Sequence, residues 1–145
     1  MGRLDLNSEG LLLLTNDGEL AHRLTKPRFH VPKEYLLEID RPLAPEDESR
    51  IREGVYLHQL GIKTRSARVH CNDDTRQRVT IILSEGKKRQ VRYTLGNLGY
   101  KVRRLERTAY GPLTLRRLRR GTCRPLTQSE IRDLKRLVGL ESAKG

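Results

Sequence analysis

The stretch Glu34–Asp40 most narrows the folds open to this chain, because its apolar and acidic residues fall on opposite sides of an extended backbone. Its apolar face carries Tyr35, Leu37 and Ile39. This period of two predicts a half-buried strand whose Tyr35 points inward. A half-buried strand needs partner strands and a covering layer, so the rest of the sequence should supply both.

Further strands are predicted between turn residues. The apolar run Gly10–Thr15 ends in Asn16-Asp17-Gly18 and predicts a buried strand followed by a turn. Thr64–Cys71 and Gln77–Leu83 flank an Asn-Asp-Asp turn and predict a hairpin. Tyr100–Thr108 predicts another strand.

Capping residues and apolar spacing predict the helices. Asn16 is expected to cap a helix over Asp17–Leu24, and Pro45 opens a second helix that Gly54 ends. A third helix is expected near Lys88–Leu98.

The last helix, Gln128–Val138, opens with the capping box Thr127-x-x-Glu130. Its buried stripe is expected to consist of Ile131, Leu134, Leu137 and Val138. Strands and helices mixed in this order predict an α+β fold with a mostly antiparallel mixed sheet flanked by helices.

The net charge of +12 is concentrated in one part of the chain. Between Lys87 and Arg120 there are twelve Lys or Arg residues and one acidic residue, Glu106. Charges this dense repel one another unless a polyanion neutralises them, which favours a nucleic acid as partner. Two alternatives stay open, a solvated basic face and an anionic membrane surface, although no helix with a large apolar face accompanies the charge.

Several other function classes lack their sequence signals. The longest apolar run, Leu11–Leu14, is far shorter than the roughly 20 residues of a membrane span, and no signal-peptide core follows Met1. Cys71 and Cys123 lie far apart, and no histidine stands at ligand spacing from a cysteine or carboxylate, so no metal is expected. Two isolated cysteines favour a reducing, cytoplasmic location.

A carboxylate near the start of the chain has no obvious purpose. Asp5 precedes the apolar run, and Arg3 lies two residues before it. A turn or cap aspartate explains this pattern as well as a catalytic group does, so the residues alone leave the role of Asp5 open.

Residues 2–18 read Gly-Arg-Leu-Asp-x-x-Ser-Glu-Gly-Leu-Leu-Leu-Leu-Thr-Asn-Asp-Gly. This pattern resembles the catalytic motif of the RsuA/RluB/RluE/RluF branch of the pseudouridine synthases. Lys33-Glu34-Tyr35 resembles the lysine-x-tyrosine strand of that family, and residues 85–92 resemble its arginine motif. Gly111-Pro112-Leu113 and Arg124-Pro125-Leu126-Thr127 resemble its closing segments. Tyr93, Thr94 and Tyr110 depart from the family pattern and are expected to alter local packing.

The resemblance implies a pseudouridine-synthase-like catalytic domain that acts on ribosomal RNA, or on a ribosomal subunit precursor, without a metal or organic cofactor. Asp5 would act on a uridine flipped out of its helix, either at carbon 6 of uracil or at the anomeric carbon of ribose. Arg92 would hold the Asp5 carboxylate and keep it ionised, while Tyr35 would pack against uracil and help to move the carbon-5 proton. The residues expected to contact RNA are Arg3, Lys33, Lys87, Lys88, Arg89, Arg103 and Arg104.

The motif begins at residue 2, whereas members of the family usually carry further strands, and often a small RNA-binding domain, before it. Residues 1–145 are therefore expected to form one catalytic domain without a separate N-terminal RNA-binding domain: a fragment, a shortened gene product or a minimal form. Three hypotheses stand: an isomerase acting on ribosomal RNA, a non-catalytic RNA-binding remnant of such an enzyme, and a basic ribosome-structural or protein-interaction domain that does not need Asp5. The oligomeric state is left open.

Overall fold

A computed structural model of the chain describes residues 8–86, 89–116 and 118–140. Within these residues the main sheet has six strands: β1 (Glu9–Gly10), β2 (Lys33–Ile39), β5 (Arg68–Cys71), β6 (Arg78–Leu83), β7 (Val102–Tyr110) and β8 (Leu113–Thr114). A separate pair consists of β3 (Tyr56–Leu57) and β4 (Ile62–Lys63). The helices are α1 (Gly18–Thr25), α2 (Pro45–Glu53), α3 (Gln90–Asn97) and α4 (Gln128–Leu137), with a 3-10 turn at Pro27–Phe29.

The strand order of the main sheet is β1-β7-β2-β6-β5, and β8 also pairs with β7. The predicted half-buried strand, β2, lies at the centre and is antiparallel to both β6 and β7. The predicted hairpin is confirmed as β5 and β6, whereas β1 pairs with β7 in parallel. The sheet is therefore mixed and mostly antiparallel, and the predicted α+β class is confirmed.

Two apolar clusters cover opposite ends of the inward face of the sheet. The first, called the α2–α3 cluster, packs Ile51, Val91 and Leu95 of these helices against the strand residues Leu37, Ile39, Val69, Val79, Ile81, Leu83 and Leu105. The second, called the α1–α4 cluster, contains Leu11, Leu13, Leu20, Leu24, Val31, Tyr110, Leu113, Leu134 and Val138. Helices therefore protect one face of the sheet, as the alternation in β2 requires.

The predicted strand over Gly10–Thr15 is wrong beyond Gly10. β1 occupies the edge of β7 only beside Glu106 and Arg107, and β8 takes the same edge beside Ala109 and Tyr110. Because β8 fills the edge, the run that follows Gly10 leaves the sheet and packs alternate leucines into the α1–α4 cluster.

Other boundaries also differ from the predictions. Asp17, not Asn16, caps α1, because its Oδ1 accepts a 3.1 Å hydrogen bond from the Leu20 N–H. Thr64 exchanges hydrogen bonds with Val55 after α2, so the strand predicted from Thr64 starts only at β5.

The capping box of α4 is confirmed, since Thr127 and Glu130 each accept a hydrogen bond from the backbone N–H of the other. Leu137 is 42% exposed, so its predicted place in the buried stripe is wrong, and Leu134 with Val138 forms the buried part of that stripe. No helix in the described ranges has the length and apolar character needed to cross a membrane.

Candidate active site

Four large side chains meet on the inward face of the sheet where the two apolar clusters adjoin. Tyr35 of β2 lies directly opposite Arg107 of β7, and Lys33 lies opposite Tyr110. Opposite residues of antiparallel strands project from the same face, so the four side chains form one group. We call Lys33, Tyr35, Arg107 and Tyr110 the central patch. Tyr35 packs against the α2–α3 cluster and Tyr110 belongs to the α1–α4 cluster.

A shift in strand register creates this arrangement. Glu34 pairs with Ala109, but the next residue, Tyr35, pairs with Arg107, so Thr108 has no opposite residue in the β2 register. Such a bulge changes the direction of the side chains around it and is common beside active sites. Here it brings Arg107 and Tyr110, three residues apart, onto the same inward face.

Lys33 is buried, with 9% of its surface exposed. Its ammonium donates a 3.3 Å hydrogen bond to the Val31 carbonyl oxygen and lies 5.4 Å from the centroid of the Tyr110 ring. Burial, and secondarily the Arg107 cation, lowers the pKa of Lys33 to about 8. Lys33 was predicted to contact RNA, but the structure places it inside the protein beside Tyr110.

Arg107 is more deeply buried still, with 2% of its surface exposed. Its Nε donates a 2.9 Å hydrogen bond to the Leu11 carbonyl oxygen, and its guanidinium carbon lies 5.1 Å from the centroid of the Tyr110 ring. Burial raises the pKa of the Tyr110 hydroxyl, and the neighbouring Arg107 charge partly offsets that rise. The central patch thus holds two buried cations and two phenol rings.

The arginine motif follows β6 and leads into α3. A Cβ added at Gly86 would lie 3.3 Å from the Lys33 Nζ atom, so this loop passes close to the central patch. Glu85 anchors the loop, since its two carboxylate oxygens accept hydrogen bonds from the Gln90 Nε2 group at 2.8 Å and the Arg65 N–H at 3.1 Å. Arg92 follows in the first turns of α3, with its Nε atom shielded from solvent.

The remaining basic residues of the predicted site occupy different environments. Arg89 caps α3 in a left-handed conformation, with its guanidinium 5.8 Å from the centroid of the Tyr93 ring. Arg103 is exposed. It lies at a second shift in the register of β7 with β2, where Glu38 pairs with Arg104 and Ile39 with Val102. Arg104 forms ion pairs with Glu9 at 2.6 Å and with Glu106 at 3.6 Å. Four predicted site residues lie outside the described residues: Arg3, Asp5, Lys87 and Lys88.

The structure therefore brings Lys33 and Tyr35 together and places the loop that leads to Arg92 beside them. Arg107 was missed as a site residue, because in sequence it appears as one more cation of the basic stretch between Lys87 and Arg120. The signal was its strand position: Leu105 faces inward, so the residue two places later does so too. An arginine at an inward position of an amphipathic strand marks a special environment.

The central patch can support polar chemistry in a sheltered place. Its phenol ring at Tyr35 can pack against a flat ligand, and its buried cations can stabilise negative charge. Across the ranges that the structure describes, no three side chains of His, Cys, Asp or Glu gather as metal ligands would.

Comparisons with known proteins show which proteins this chain is similar to. The family model described as RNA pseudouridylate synthase matches residues 1–97. An "Uncharacterized RNA pseudouridine synthase" of Aquifex aeolicus (strain VF5) is 40% identical over 141 residues, which are 97% of this chain and 57% of that protein. The "Ribosomal small subunit pseudouridine synthase A" of Escherichia coli (strain K12) is 39% identical over 131 residues, which are 90% of this chain and 56% of that protein.

A solved structure shares the fold as well. A crystal structure of a pseudouridylate synthase aligns with a TM-score of 0.86 and 38% identity, over 92% of this chain and 57% of that chain. The chain thus spans little more than half the length of the relatives that it matches. The family model covers well over half of the 145 residues, and the chain belongs to the RNA pseudouridylate synthase family.

Proposed function

We propose that this chain converts a uridine of ribosomal RNA into pseudouridine, with Asp5 as the nucleophile on a flipped-out base. Family membership supports the reaction class. The observation that carries the proposal is the central patch. Tyr35 and Arg107 lie side by side on a sheltered face, and β1, which begins four residues after Asp5, pairs with Arg107.

The reaction moves one bond and one proton. The bond between uracil nitrogen 1 and ribose carbon 1′ breaks, the base turns, and carbon 5 of uracil bonds to carbon 1′. Carbon 5 then loses its proton and nitrogen 1 gains one, so that atoms and electrons balance. The Asp5 carboxylate would assist in one of two ways. It would add to carbon 6 of uracil and be expelled from carbon 6 before the product leaves, or it would bond to carbon 1′ of ribose as nitrogen 1 departs and be displaced when carbon 5 bonds there.

The roles of the other residues follow from their chemistry. Arg92 would pair with the Asp5 carboxylate, because a guanidinium fork can hold both oxygens and keep them ionised. Tyr35 would pack its ring against uracil and take part in moving the carbon-5 proton. Lys33 would lie on the protein side of the bound base and would not contact a phosphate, since its ammonium is buried beside Tyr110.

RNA phosphates would be held by cations around this site that are at least partly exposed. Arg89 and Arg103 are the described candidates that form no ion pair with a described residue, and Arg3, Lys87 and Lys88 complete the proposed set. Arg104 would join them only by exchanging its bonds to Glu9 and Glu106 for phosphate oxygens. The names of the relatives from Escherichia coli and Salmonella typhimurium state the small ribosomal subunit, so RNA of that subunit is the first substrate to test.

The test maps pseudouridine by carbodiimide labelling and primer extension, because the product is an isomer and has the mass of its substrate. Unmodified ribosomal RNA is incubated with the chain, with Asp5→Ala, and with Asp74→Ala, which removes an exposed carboxylate of the β5–β6 turn. We expect one new stop with the chain and with Asp74→Ala, and none with Asp5→Ala.

A stop that persists in Asp5→Ala would contradict the role of Asp5. If no protein gives a stop while RNA binding stays sensitive to salt, the chain is a non-catalytic RNA-binding remnant. The absence of both stop and binding would leave a protein-interaction or ribosome-structural domain.

A further inference from the structure

Arg107 contacts Leu11, six residues after Asp5, through both its backbone and its side chain. The Leu11 N–H donates a 2.8 Å hydrogen bond to the Arg107 carbonyl oxygen. In return, the Arg107 Nε–H donates a 2.9 Å hydrogen bond to the Leu11 carbonyl oxygen. One residue of β7 therefore satisfies both backbone groups of Leu11.

Gly10 permits this close approach. It lies opposite Arg107 in the parallel pairing of β1 with β7, and its φ of +115° favours glycine. A Cβ at this position would lie 2.3 Å from the Arg107 carbonyl oxygen and 2.5 Å from its nitrogen. Any other residue would push β1 away from β7, so the position of this segment depends on the contact with Arg107.

The charge of Arg107 is costly where it lies. Its guanidinium is buried, and Lys33 adds a second cation to the same central patch. An apolar side chain could cover the neighbouring Tyr110 ring without that cost. The hydrogen bond from the Arg107 Nε–H to the Leu11 carbonyl oxygen is a contact that an apolar side chain would not supply.

We propose that Arg107 is a positioning residue: by fixing Gly10 and Leu11 it sets where the Asp5 carboxylate, five residues before Gly10, stands relative to the Tyr35 ring. This inference rests on the proposed function, since Asp5 is the group to be positioned. A displacement of about 1 Å between reacting groups can cost roughly 100-fold in rate.

The test compares Arg107→Lys with Arg132→Lys, which makes the same change at an exposed position of α4. Lysine keeps the charge but has no Nε–H at the same reach, so the bond to Leu11 is lost. In Arg107→Lys we expect kcat to fall by about 100-fold while KM stays within threefold. The exposed cations that would bind RNA are untouched, so the Kd for RNA should not change. Arg132→Lys should keep the kcat and KM of the unaltered chain.

Amide hydrogen exchange supplies a readout that does not need catalysis. The Leu11 amide should exchange at least tenfold faster in Arg107→Lys than in Arg132→Lys, while the amides of α4 stay unchanged. Gly10→Ala disturbs the same contact from the other side and should give the same pair of effects, a lower kcat and a faster Leu11 exchange. It keeps the inference testable should Arg107→Lys fail to fold.

The inference is overturned if Arg107→Lys keeps its kcat within threefold, if it raises KM alone, or if Leu11 exchange is unaffected. If the unaltered chain makes no pseudouridine while Leu11 exchange responds as expected, the proposed function fails and Arg107 is only a structural contact. The two failures are therefore distinguishable.

Discussion

The ammonium nitrogen of Lys33 lies over the Tyr110 ring, 5.4 Å from the ring centroid. Arg107 approaches the same ring to 5.1 Å. Tyr110 thus offers the negative face of its ring to two buried cations, which partly offsets their desolvation. Because its hydroxyl donates a 3.2 Å hydrogen bond to the Leu24 carbonyl oxygen, the ring is also fixed to α1.

The first prediction concerns stability and pH. Burial, with a smaller contribution from Arg107, lowers the pKa of Lys33 from 10.5 to about 8. Between pH 8 and pH 10.5 the unfolded chain therefore binds more protons at Lys33 than the folded chain does, and the free energy of unfolding rises with pH. Below pH 8 both states are protonated and the full cost of burying the charge, on the order of 3 kcal/mol, is present.

Lys33→Met should therefore raise the free energy of unfolding at pH 7 by up to about 3 kcal/mol. It should also remove the rise of that free energy with pH between pH 8 and pH 10.5. Urea unfolding at several pH values measures both effects. Lys101→Met, at an exposed position, is the matched control and should behave as the unaltered chain. Equal pH dependence in the two variants would contradict the burial of a charged Lys33.

The second prediction concerns Glu85, which is buried and joins the start of α3 to the segment before β5. Its oxygens accept from the Gln90 Nε2 group and from the Arg65 N–H. Glu85→Gln places an amide NH₂ against one of these donors, so the free energy of unfolding should fall by about 1–3 kcal/mol. Because Arg92 follows Gln90 by two residues, kcat should also fall.

Urea unfolding and steady-state kinetics measure these two effects. Glu53→Gln, at the exposed end of α2, should change neither quantity. A loss of stability with kcat intact would show that Glu85 supports the fold without positioning Arg92.

The third prediction separates two adjacent arginines of β7. Arg103 is exposed, and within the described ranges no acidic side chain pairs with it, whereas Arg104 is held by Glu9 and Glu106. Each phosphate neutralised on single-stranded RNA adds roughly 0.7 to the slope of log affinity against log salt. Arg103→Ala should lower the slope by about that amount, and Arg104→Ala should lower it by less.

Binding to ribosomal RNA fragments over a range of salt concentrations provides the measurement. Arg132→Ala, on the exposed side of α4, is the control for loss of one positive charge elsewhere. Equal slopes for all three variants would exclude β7 from the RNA surface.

The sequence predicted the main layers of this fold because period-two alternation and capping residues act locally. The Glu34–Asp40 alternation and the Thr127–Glu130 capping box appear in the structure where they were expected. The Gly10–Thr15 run failed because a non-local competitor decides its structure: β8, about 100 residues later, occupies the edge of β7 that this run would need. The residue pattern within a segment does not predict which of two segments will pair with the free edge of a strand.

In the candidate site, too, local sequence patterns predicted some features and non-local strand pairing decided the others. Tyr35 was placed correctly on the inward face by its own alternation. Arg107 and Tyr110 could not be placed together from sequence, because their spacing of three puts them on opposite faces of a regular strand. The register shift at Thr108 reverses that parity, and such shifts depend on the pairing of β7 with β2.

The last prediction separates the ring of Tyr35 from its hydroxyl. Tyr35→Phe keeps a ring beside Arg107 on the inward face but removes the group proposed to help move the carbon-5 proton. General acid–base groups typically contribute 10²- to 10⁴-fold, so kcat should fall by at least about 100-fold with KM little changed. Tyr35→Leu removes the packing surface too and should raise KM as well.

Release of tritium from carbon-5-labelled uridine reports the proton step directly, because that proton leaves only when pseudouridine forms. Tyr56→Phe makes the same change at an exposed phenol and should release tritium at the rate of the unaltered chain. If Tyr35→Phe also releases tritium at that rate while Tyr35→Leu is impaired, the ring alone serves the reaction. The proton would then leave through water or another group of the central patch, and Lys33, with its lowered pKa, would be the next side chain to replace.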